Sequence, residues 1–246
     1  MEEPLEVRLG GRPYLVTMRT PGDDMDLAAG YLVSEGAIWH RDHLPEICYC
    51  TTVSGRTEQD YNTLTVTLSP DVPEPRSVRA TAMTSSCGVC GVDSVAEVRK
   101  ATHFPAEPAT PLVGAAVLLS LPDRLREGQI VFGRTGGVHA AALFSPDGDL
   151  LCLREDVGRH NAVDKVVGWA LREGRLPLRE TILQVSGRAS FELVQKTSMA
   201  GIPVISAVSA PSSLAVDLAA ETGVTLVGFS RGDRATVYTH PERVAD

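Results

Sequence analysis

Apolar runs of strand length alternate with segments of helical periodicity through the second half of the chain, and this order restricts the possible folds more than any other feature. The predicted strands are residues 150–153, 181–185, 202–208 and 224–229, and the predicted helices are residues 161–171, 191–200 and 213–221. Strands joined by helices require right-handed crossovers, which place the strands parallel in one sheet. We therefore expect an α/β domain with a mostly parallel sheet flanked by helices.

The first third of the chain has a different pattern, which predicts a smaller, β-rich lobe. Apolar and polar residues alternate over residues 5–9, 14–18 and 63–68, and this alternation is typical of strands. Between the second and third of these segments, Pro21-Gly22-Asp23-Asp24 predicts a turn and the cap of a helix that extends to Val33.

A proline-rich stretch from Thr102 to Pro111 marks the expected boundary between two lobes. The N-terminal lobe is predicted to span residues 1–108, and the α/β lobe is predicted to span residues 109–246. At the start of the α/β lobe, Thr110-Pro111 is expected to cap a helix that begins at Leu112.

Composition and charge exclude several classes of protein. The 246 residues carry a net charge of -8, which argues against binding to nucleic acid because phosphate contacts need clustered Lys and Arg. No uninterrupted apolar stretch approaches the length of a membrane span, and the N-terminal Met1-Glu2-Glu3-Pro4 lacks the features of a signal peptide. The five cysteines form no dense disulfide framework. We expect a cytoplasmic protein that binds neither membranes nor nucleic acid.

Polar segments follow four of the predicted strands, at the positions where open α/β sheets bind their ligands. They are residues 155–161, 186–190, 209–213 and 230–234, and all are rich in Gly, Ser, Arg or Asn. Free N–H groups at helix N-termini and arginine side chains both favour phosphate. Ordinary capped loops have similar compositions, and neither a Gly-x-Gly-x-x-Gly motif nor a Walker lysine is present. The pattern indicates a phosphorylated ligand without identifying it.

The segment Cys87-Gly88-Val89-Cys90, in the N-terminal lobe, is the strongest candidate for a reactive group. Two cysteines at this spacing can lower a thiol pKa, and a thiolate attacks disulfide or persulfide sulfur. Three interpretations stay open on spacing alone: a zinc site, a thioredoxin-like redox motif, and a nucleophilic or sulfur-carrying cysteine. Cys48 and Cys50 are poorly spaced for zinc, and Cys152 is expected to be a buried structural residue.

His139 precedes an apolar strand, so it is either a structural histidine or one that faces the site. A zinc deaminase would need His-x-Glu followed by a downstream Pro-Cys-x-x-Cys motif. In this chain Ala141 stands where that glutamate would be, and the Cys-x-x-Cys pair lies upstream of His139. The sequence therefore argues against hydrolytic deamination.

One long run and six shorter segments carry a family resemblance. The run is Glu155-Asp156-Val157-Gly158-Arg159-His160-Asn161-Ala162-Val163-Asp164-Lys165, and the other segments are residues 18–24, 86–91, 135–141, 186–192, 209–215 and 227–229. In these segments the chain resembles the formate dehydrogenase accessory proteins, the FdhD-type sulfur carriers. The resemblance covers nearly the whole chain, and the long run is its most specific part.

The resemblance implies a sulfurtransferase that takes persulfide sulfur from a cysteine desulfurase. It implies transfer of that sulfur to the molybdenum of the bis-molybdopterin guanine dinucleotide cofactor, which formate dehydrogenase needs for activity. By the same resemblance, Cys87 carries the persulfide and Cys90 assists. The implied cofactor-binding residues are Phe229, Ser230, Arg231, Gly232, Asp233 and Arg234.

Three further expectations come from the resemblance: a cytidine-deaminase-like core, a homodimer, and no structural metal. The alternative function is a non-catalytic chaperone of the molybdenum cofactor, in which the Cys pair is structural.

Overall fold

The protein is built around two larger sheets and six α-helices in the part of the chain that the structure describes. The structure is a computed structural model, and it describes residues 2–50, 61–73, 75, 100–105, 107 and 110–246.

The N-terminal sheet has four strands. They are β1 (Glu3–Leu9), β2 (Arg12–Arg19), β3 (Glu46–Tyr49) and β4 (Thr63–Thr67), in the order β2-β1-β4-β3. Gly10 and Gly11 turn the chain between β1 and β2 at φ angles of 53° and 80°, which residues with a Cβ rarely adopt. The three strands that alternation predicted in this region are confirmed, and β3 adds an edge strand that it did not predict.

The helices are α1 (Asp24–Ser34), α2 (Ala115–Gly128), α3 (Ile130–Thr135), α4 (Arg159–Arg172), α5 (Phe191–Met199) and α6 (Ser213–Thr222). The helix expected to begin at Leu112 begins at Ala115 instead. The reason is that β5 (Val113–Gly114) pairs with β12 (Val244–Ala245), which holds these residues in an extended conformation. None of these six helices is long and apolar enough to span a bilayer.

The central sheet has six strands and is mixed. They are β6 (His139–Phe144), β7 (Leu150–Asp156), β8 (Ile182–Val185), β9 (Val204–Ala207), β10 (Thr225–Arg231) and β11 (Arg234–Val237), in the order β11-β10-β9-β8-β6-β7. Strands β8, β9 and β10 are parallel to one another. Strand β6 is antiparallel to both β7 and β8, and β11 is antiparallel to β10.

The expectation of a mostly parallel sheet is therefore wrong. Strands β6 and β7 are joined by a turn in which the Ser145 N–H donates to the Asp149 carbonyl at 2.9 Å. A connection this short returns the chain alongside itself, so the two strands must be antiparallel. Apolar periodicity gives the positions of strands but not the direction in which they pair.

Alternate residues of the central sheet face different helices. In β6, Ala141 and Leu143 face a core shared with α1, α4, α5 and α6, whereas Ala140 and Phe144 face a second core that includes α2. Buried residues of the N-terminal sheet, such as Leu5, belong to the first core. Since successive residues in a strand point to opposite faces, His139 lies on the same face as Ala141, towards α4 and α5.

Helices α1 and α4 cross with their backbones in contact. A Cβ on Gly30 would lie 1.8 Å from the Asp164 carbonyl oxygen, and a Cβ on Gly168 would lie 1.8 Å from the Asp26 carbonyl oxygen. These two glycines are therefore required at the crossing, because any side chain there would overlap the opposite helix. The contact fixes α1 against the helix whose N-terminus borders the candidate site.

Candidate functional site

The loops that leave β8, β9 and β10 lie side by side at one edge of the central sheet, the carboxyl edge. After β9, the Ser209 N–H donates to the Gly187 carbonyl at 3.3 Å, and in β10 the Phe229 N–H donates to the Ser209 carbonyl at 3.2 Å. Strand β6 runs antiparallel to β8, which brings its first residue, His139, to the same edge, and Asp156 of β7 pairs with His139. The expectation that the polar segments share one edge is confirmed.

The predicted cofactor-binding segment forms the tip of the hairpin between β10 and β11. Phe229 adopts a φ of 53°, a left-handed conformation that is uncommon for an aromatic residue, and its side chain is exposed. Gly232 turns the chain at a φ of 60°. Asp233 and Arg234 are exposed and lie 3.4 Å apart as an ion pair. The register of the hairpin shifts between Gly228 and Arg231, which turns the Phe229 ring out of the ladder.

Ser230 differs from its neighbours in the hairpin because it is fully buried. Its hydroxyl forms no hydrogen bond with any residue that the structure describes. Buried hydroxyls nearly always have a partner, so an orphaned one within a predicted binding segment is a position that a ligand or an ordered water could satisfy.

A buried ion pair fixes the start of α4 against the loop that follows β2. The Asp156 carboxylate accepts hydrogen bonds from Thr20 N at 3.1 Å, Gly158 N at 2.9 Å and Asn161 Nδ2 at 3.0 Å, and Lys165 Nζ lies 2.8 Å from it. Lys165 also donates to the Thr20 carbonyl at 2.9 Å. The polar atoms of these residues hold the start of α4 in place. The run of residues 155–165, the most specific part of the family resemblance, is therefore largely structural.

A polar cluster lies where the N-termini of α4 and α5 meet. His160 Nε2 in α4 lies 3.3 Å from the hydroxyl of Ser190, the residue before α5, and 3.7 Å from the Glu192 carboxylate. The His139 imidazole lies against Gly187, with Nδ1 3.4 Å from where a Cβ would stand. Arg159, the first residue of α4, contributes a positive charge that acts on His139.

The charges in this cluster shift two pKa values. Burial lowers the pKa of His139, and the positive charges of Arg159 and His160 lower it further, against the opposing effect of Asp156. Burial opposes ionisation of Glu192, but hydrogen bonds from His160, its own backbone N–H and Ser190 outweigh that effect and lower its pKa to about 2. At neutral pH the cluster therefore holds a neutral His139 and an ionised Glu192.

Comparison with known proteins decides the family. The model of the FdhD/NarQ family matches residues 1–245. The chain belongs to the FdhD/NarQ family. It is 56% identical over 247 residues to the sulfur carrier protein FdhD of Streptomyces avermitilis, covering 99% of this chain and 88% of that protein. It is 53% identical over 251 residues to the protein of the same name from Mycobacterium tuberculosis, covering 99% of this chain and 90% of that protein.

A solved structure supports the fold of this FdhD/NarQ family member. The crystal structure of a protein from Desulfotalea psychrophila, designated a formate dehydrogenase accessory protein, superposes with a TM-score of 0.78 at 28% identity. The match covers 99% of this chain and 90% of the Desulfotalea chain. The similarity therefore extends over both the N-terminal and the central sheet.

The cysteines of this family member divide into two groups. Cys87 and Cys90, the predicted persulfide pair, lie outside the described residues. Cys152 is buried, as expected, and burial raises the pKa of its thiol to about 12, which makes it a poor nucleophile. Cys48 is exposed on β3, and Cys50 is partly buried beyond its end. Among the described residues, no three His, Cys, Asp or Glu side chains are grouped so that they could hold a metal ion.

Sequence reasoning found the segments of the site but missed one contact between them. It placed Arg159, His160 and Ser190 in polar loops, yet nothing in the sequence paired His160 with Ser190 and Glu192. The one available signal was spacing, since the histidine and the glutamate each stand near the predicted start of a helix. The meeting of the two helices depends on how they pack on the sheet, and a one-dimensional pattern does not contain that.

Proposed function

We propose that this FdhD/NarQ family member is a sulfur carrier that acts as a sulfurtransferase for the molybdenum cofactor of formate dehydrogenase. It receives persulfide sulfur on Cys87 from a cysteine desulfurase, with Cys90 assisting. It passes the sulfur to the molybdenum of the bis-molybdopterin guanine dinucleotide, which is its acceptor substrate. The observation that carries the proposal is similarity over the full length to proteins named sulfur carrier protein FdhD, at up to 56% identity.

The loading step needs only a thiolate and a persulfide. The Cys87 thiolate attacks the outer sulfur of the desulfurase persulfide, a new sulfur–sulfur bond forms on Cys87, and the desulfurase thiolate leaves. Sulfur, electrons and protons balance without a further reactant. Cys152 is unsuited to this step, because burial raises the pKa of its thiol to about 12 and the thiol stays protonated at neutral pH.

The carboxyl edge supports recognition of the guanine dinucleotide part of the acceptor. The exposed Phe229 ring offers a surface on which a purine base can stack. Arg231 and Arg234 are exposed beside it and can pair with phosphate. Ser230 brings an unpartnered hydroxyl to the same segment. These features favour the role of Phe229–Arg234 that the family resemblance implies.

Four further expectations belong to this proposal. They are the division into lobes at residues 1–108 and 109–246, the cytidine-deaminase-like relationship of the core, a homodimer, and a cytoplasmic location. Each stays a prediction.

One pair of assays separates sulfur transfer from the alternative of a non-catalytic cofactor chaperone. Formate dehydrogenase that lacks activity is incubated with cofactor, desulfurase, cysteine and either the wild type or the Cys87→Ala variant, and GDP binding is measured by calorimetry on both proteins. We expect Cys87→Ala to bind GDP like the wild type and to lose activation. Cys48→Ala is the matched control, and it should activate normally. If Cys87→Ala activated the enzyme fully, the chaperone alternative would replace the carrier.

A further inference from the structure

A cavity of about 630 Å³ lies at the amino edge of the central sheet, the edge at which β8, β9 and β10 begin. We propose that this cavity binds a small carboxylate with an apolar body, and that Arg243 pairs with the carboxylate. The cavity is separate from the carboxyl edge, and its ligand is independent of the sulfur carrier proposed above.

The cavity has the position and size of a small-molecule site. Thr181, Pro203 and Val224, the residues immediately before the three parallel strands, line it side by side. Neighbouring strands are about 4.8 Å apart, so this row spans roughly 10 Å. Pockets that bind small organic ligands have volumes of about 300–1,000 Å³. The space is therefore sufficient for a ligand of one or two rings.

Arg243 contributes a buried guanidinium to the lining of this cavity. The residue is only 5% exposed. Its Nη1 donates to the Gly223 carbonyl at 2.6 Å and to Thr225 Oγ1 at 3.1 Å, and its Nη2 donates to the Glu107 carbonyl at 3.1 Å. A guanidinium has five N–H groups, so Nε and Nη2 keep N–H groups that bond no residue in the described part of the chain. A carboxylate can accept two such groups at once.

Protein carboxylates do not neutralise the charge of Arg243. The Glu242 carboxylate lies 3.3 Å from His240 Nδ1, and the Glu107 carboxylate pairs with Arg179. Burial lowers the pKa of Arg243, and the charge of Glu242 only partly offsets this effect. A buried cation without a paired anion is unfavourable, and a bound carboxylate would supply the missing charge.

The other charged groups of the lining also favour an anion. The described residues that line the cavity include three arginines and two glutamates, which gives a net charge of +1. Arg175 lies over the Trp169 ring, with its guanidinium carbon 5.1 Å from the ring centroid. Glu180 is exposed, so its carboxylate is solvated and repels an anion only weakly.

The rest of the lining includes a large apolar surface, to which Leu178, Ile202 and Phe104 contribute. Phe104 is fixed there by Thr102, whose hydroxyl donates to the Ser198 carbonyl at 3.0 Å and accepts from the Phe104 N–H at 3.0 Å. Apolar surface beside a buried guanidinium is suited to a ligand with an apolar body and one acidic group.

Calorimetry on the full chain compares 1-naphthoate with 1-naphthalenemethanol, which has the same rings and no charge. We expect the wild type to bind 1-naphthoate about tenfold more tightly, the effect of one charge-assisted hydrogen bond. Excess GDP should change neither affinity, because the predicted cofactor-binding segment lies at the opposite edge of the sheet.

Two variants test the role of charge. Arg243→Met should reduce the affinity for 1-naphthoate to that for 1-naphthalenemethanol. Arg243 also bonds the Gly223 carbonyl, so this variant loses stability, and Glu180→Gln provides a test that breaks no hydrogen bond. Removal of the Glu180 carboxylate should tighten 1-naphthoate by about twofold and leave the uncharged probe unchanged.

The matched control is Arg12→Met, since Arg12 is an exposed arginine of β2 and should not affect either probe. Circular dichroism melts establish which variants are folded. A wild type that binds neither probe, or binds both equally, would overturn the proposal, as would displacement of 1-naphthoate by GDP. Unchanged 1-naphthoate affinity in a folded Arg243→Met protein would also overturn it. If Arg243→Met is unfolded, unchanged affinity in Glu180→Gln decides against it.

Discussion

Residues at the carboxyl edge are of two kinds: some bond other parts of the protein and stabilise the fold, and others are available to a ligand. Asp156 bonds both Asn161 and Lys165, and all three side chains also bond the end of β2 or the loop that follows it. His139 and Phe229 keep polar or aromatic surface at the edge. Residues of both kinds occur in the segments that resemble the family, so membership in a motif does not by itself assign a role in binding.

Asp156→Asn should destabilise the protein more than any exposed charge substitution. The change removes the carboxylate that compensates Lys165 in a fully buried pair, and breaking such a pair costs about 3–5 kcal/mol. Urea unfolding should show a correspondingly lower midpoint. The control is Asp42→Asn, whose side chain is 84% exposed and which should change stability by no more than about 0.5 kcal/mol. Equal midpoints for the two variants would contradict the structural role of Asp156.

Glu192 should make stability fall in acid over a defined range of pH. Its pKa is about 2 in the folded protein against an ordinary value of 4.5, so the unfolded chain binds more protons between these values. The stabilisation is complete above about pH 4.5 and is lost as the pH falls towards 2. Unfolding free energies of wild type and Glu192→Gln should therefore converge across that window. A difference that stays constant from pH 6 to pH 2 would show that the carboxylate is not preferentially ionised in the fold.

At the scale of elements, periodicity and capping predicted most helices and strands. Four helices, α1, α4, α5 and α6, and the parallel strands β8, β9 and β10 lie where the pattern placed them. Two features were missed because they depend on residues far away in sequence. Strand β6 inserts antiparallel between β7 and β8, and β5 pairs with the C-terminal β12, which delays the start of α2. Local pattern carries no information on such pairing.

Gly30→Ala should destabilise the crossing of α1 and α4. The added Cβ would lie 1.8 Å from the Asp164 carbonyl oxygen, and the helices can accommodate it only by moving apart, at a cost of about 3 kcal/mol or more. Gly133→Ala in α3 is the matched control, because nothing lies within 4 Å of its Cβ position and alanine favours a helix by up to about 1 kcal/mol. In thermal melting, Gly30→Ala should have a lower Tm than the wild type, and Gly133→Ala should not. A Gly30→Ala protein that melts with the wild type would show that the helices are not in backbone contact.

At the scale of the whole molecule, the N-terminal sheet and the central sheet contribute to one hydrophobic core, and the site is assembled from segments far apart in the chain. The position of the site was predictable, because the carboxyl edge of parallel strands is fixed once the order of strands and helices is known. The contacts within it were not, since His160 meets Glu192 only through the packing of two helices. Cys87 and Cys90, the predicted persulfide pair, lie outside the described residues, so their chemistry stays a prediction.

The most direct test of the central claim is intact-mass analysis after incubation with a cysteine desulfurase and cysteine. Wild type, Cys90→Ala and Cys48→Ala should each gain one or more sulfur atoms, roughly 32 Da apiece, and a thiol reductant should reverse the gain. Cys87→Ala should gain none. A desulfurase that is active yet adds no sulfur to the wild type, or adds it equally to Cys87→Ala, would contradict the assignment of Cys87 as the sulfur carrier.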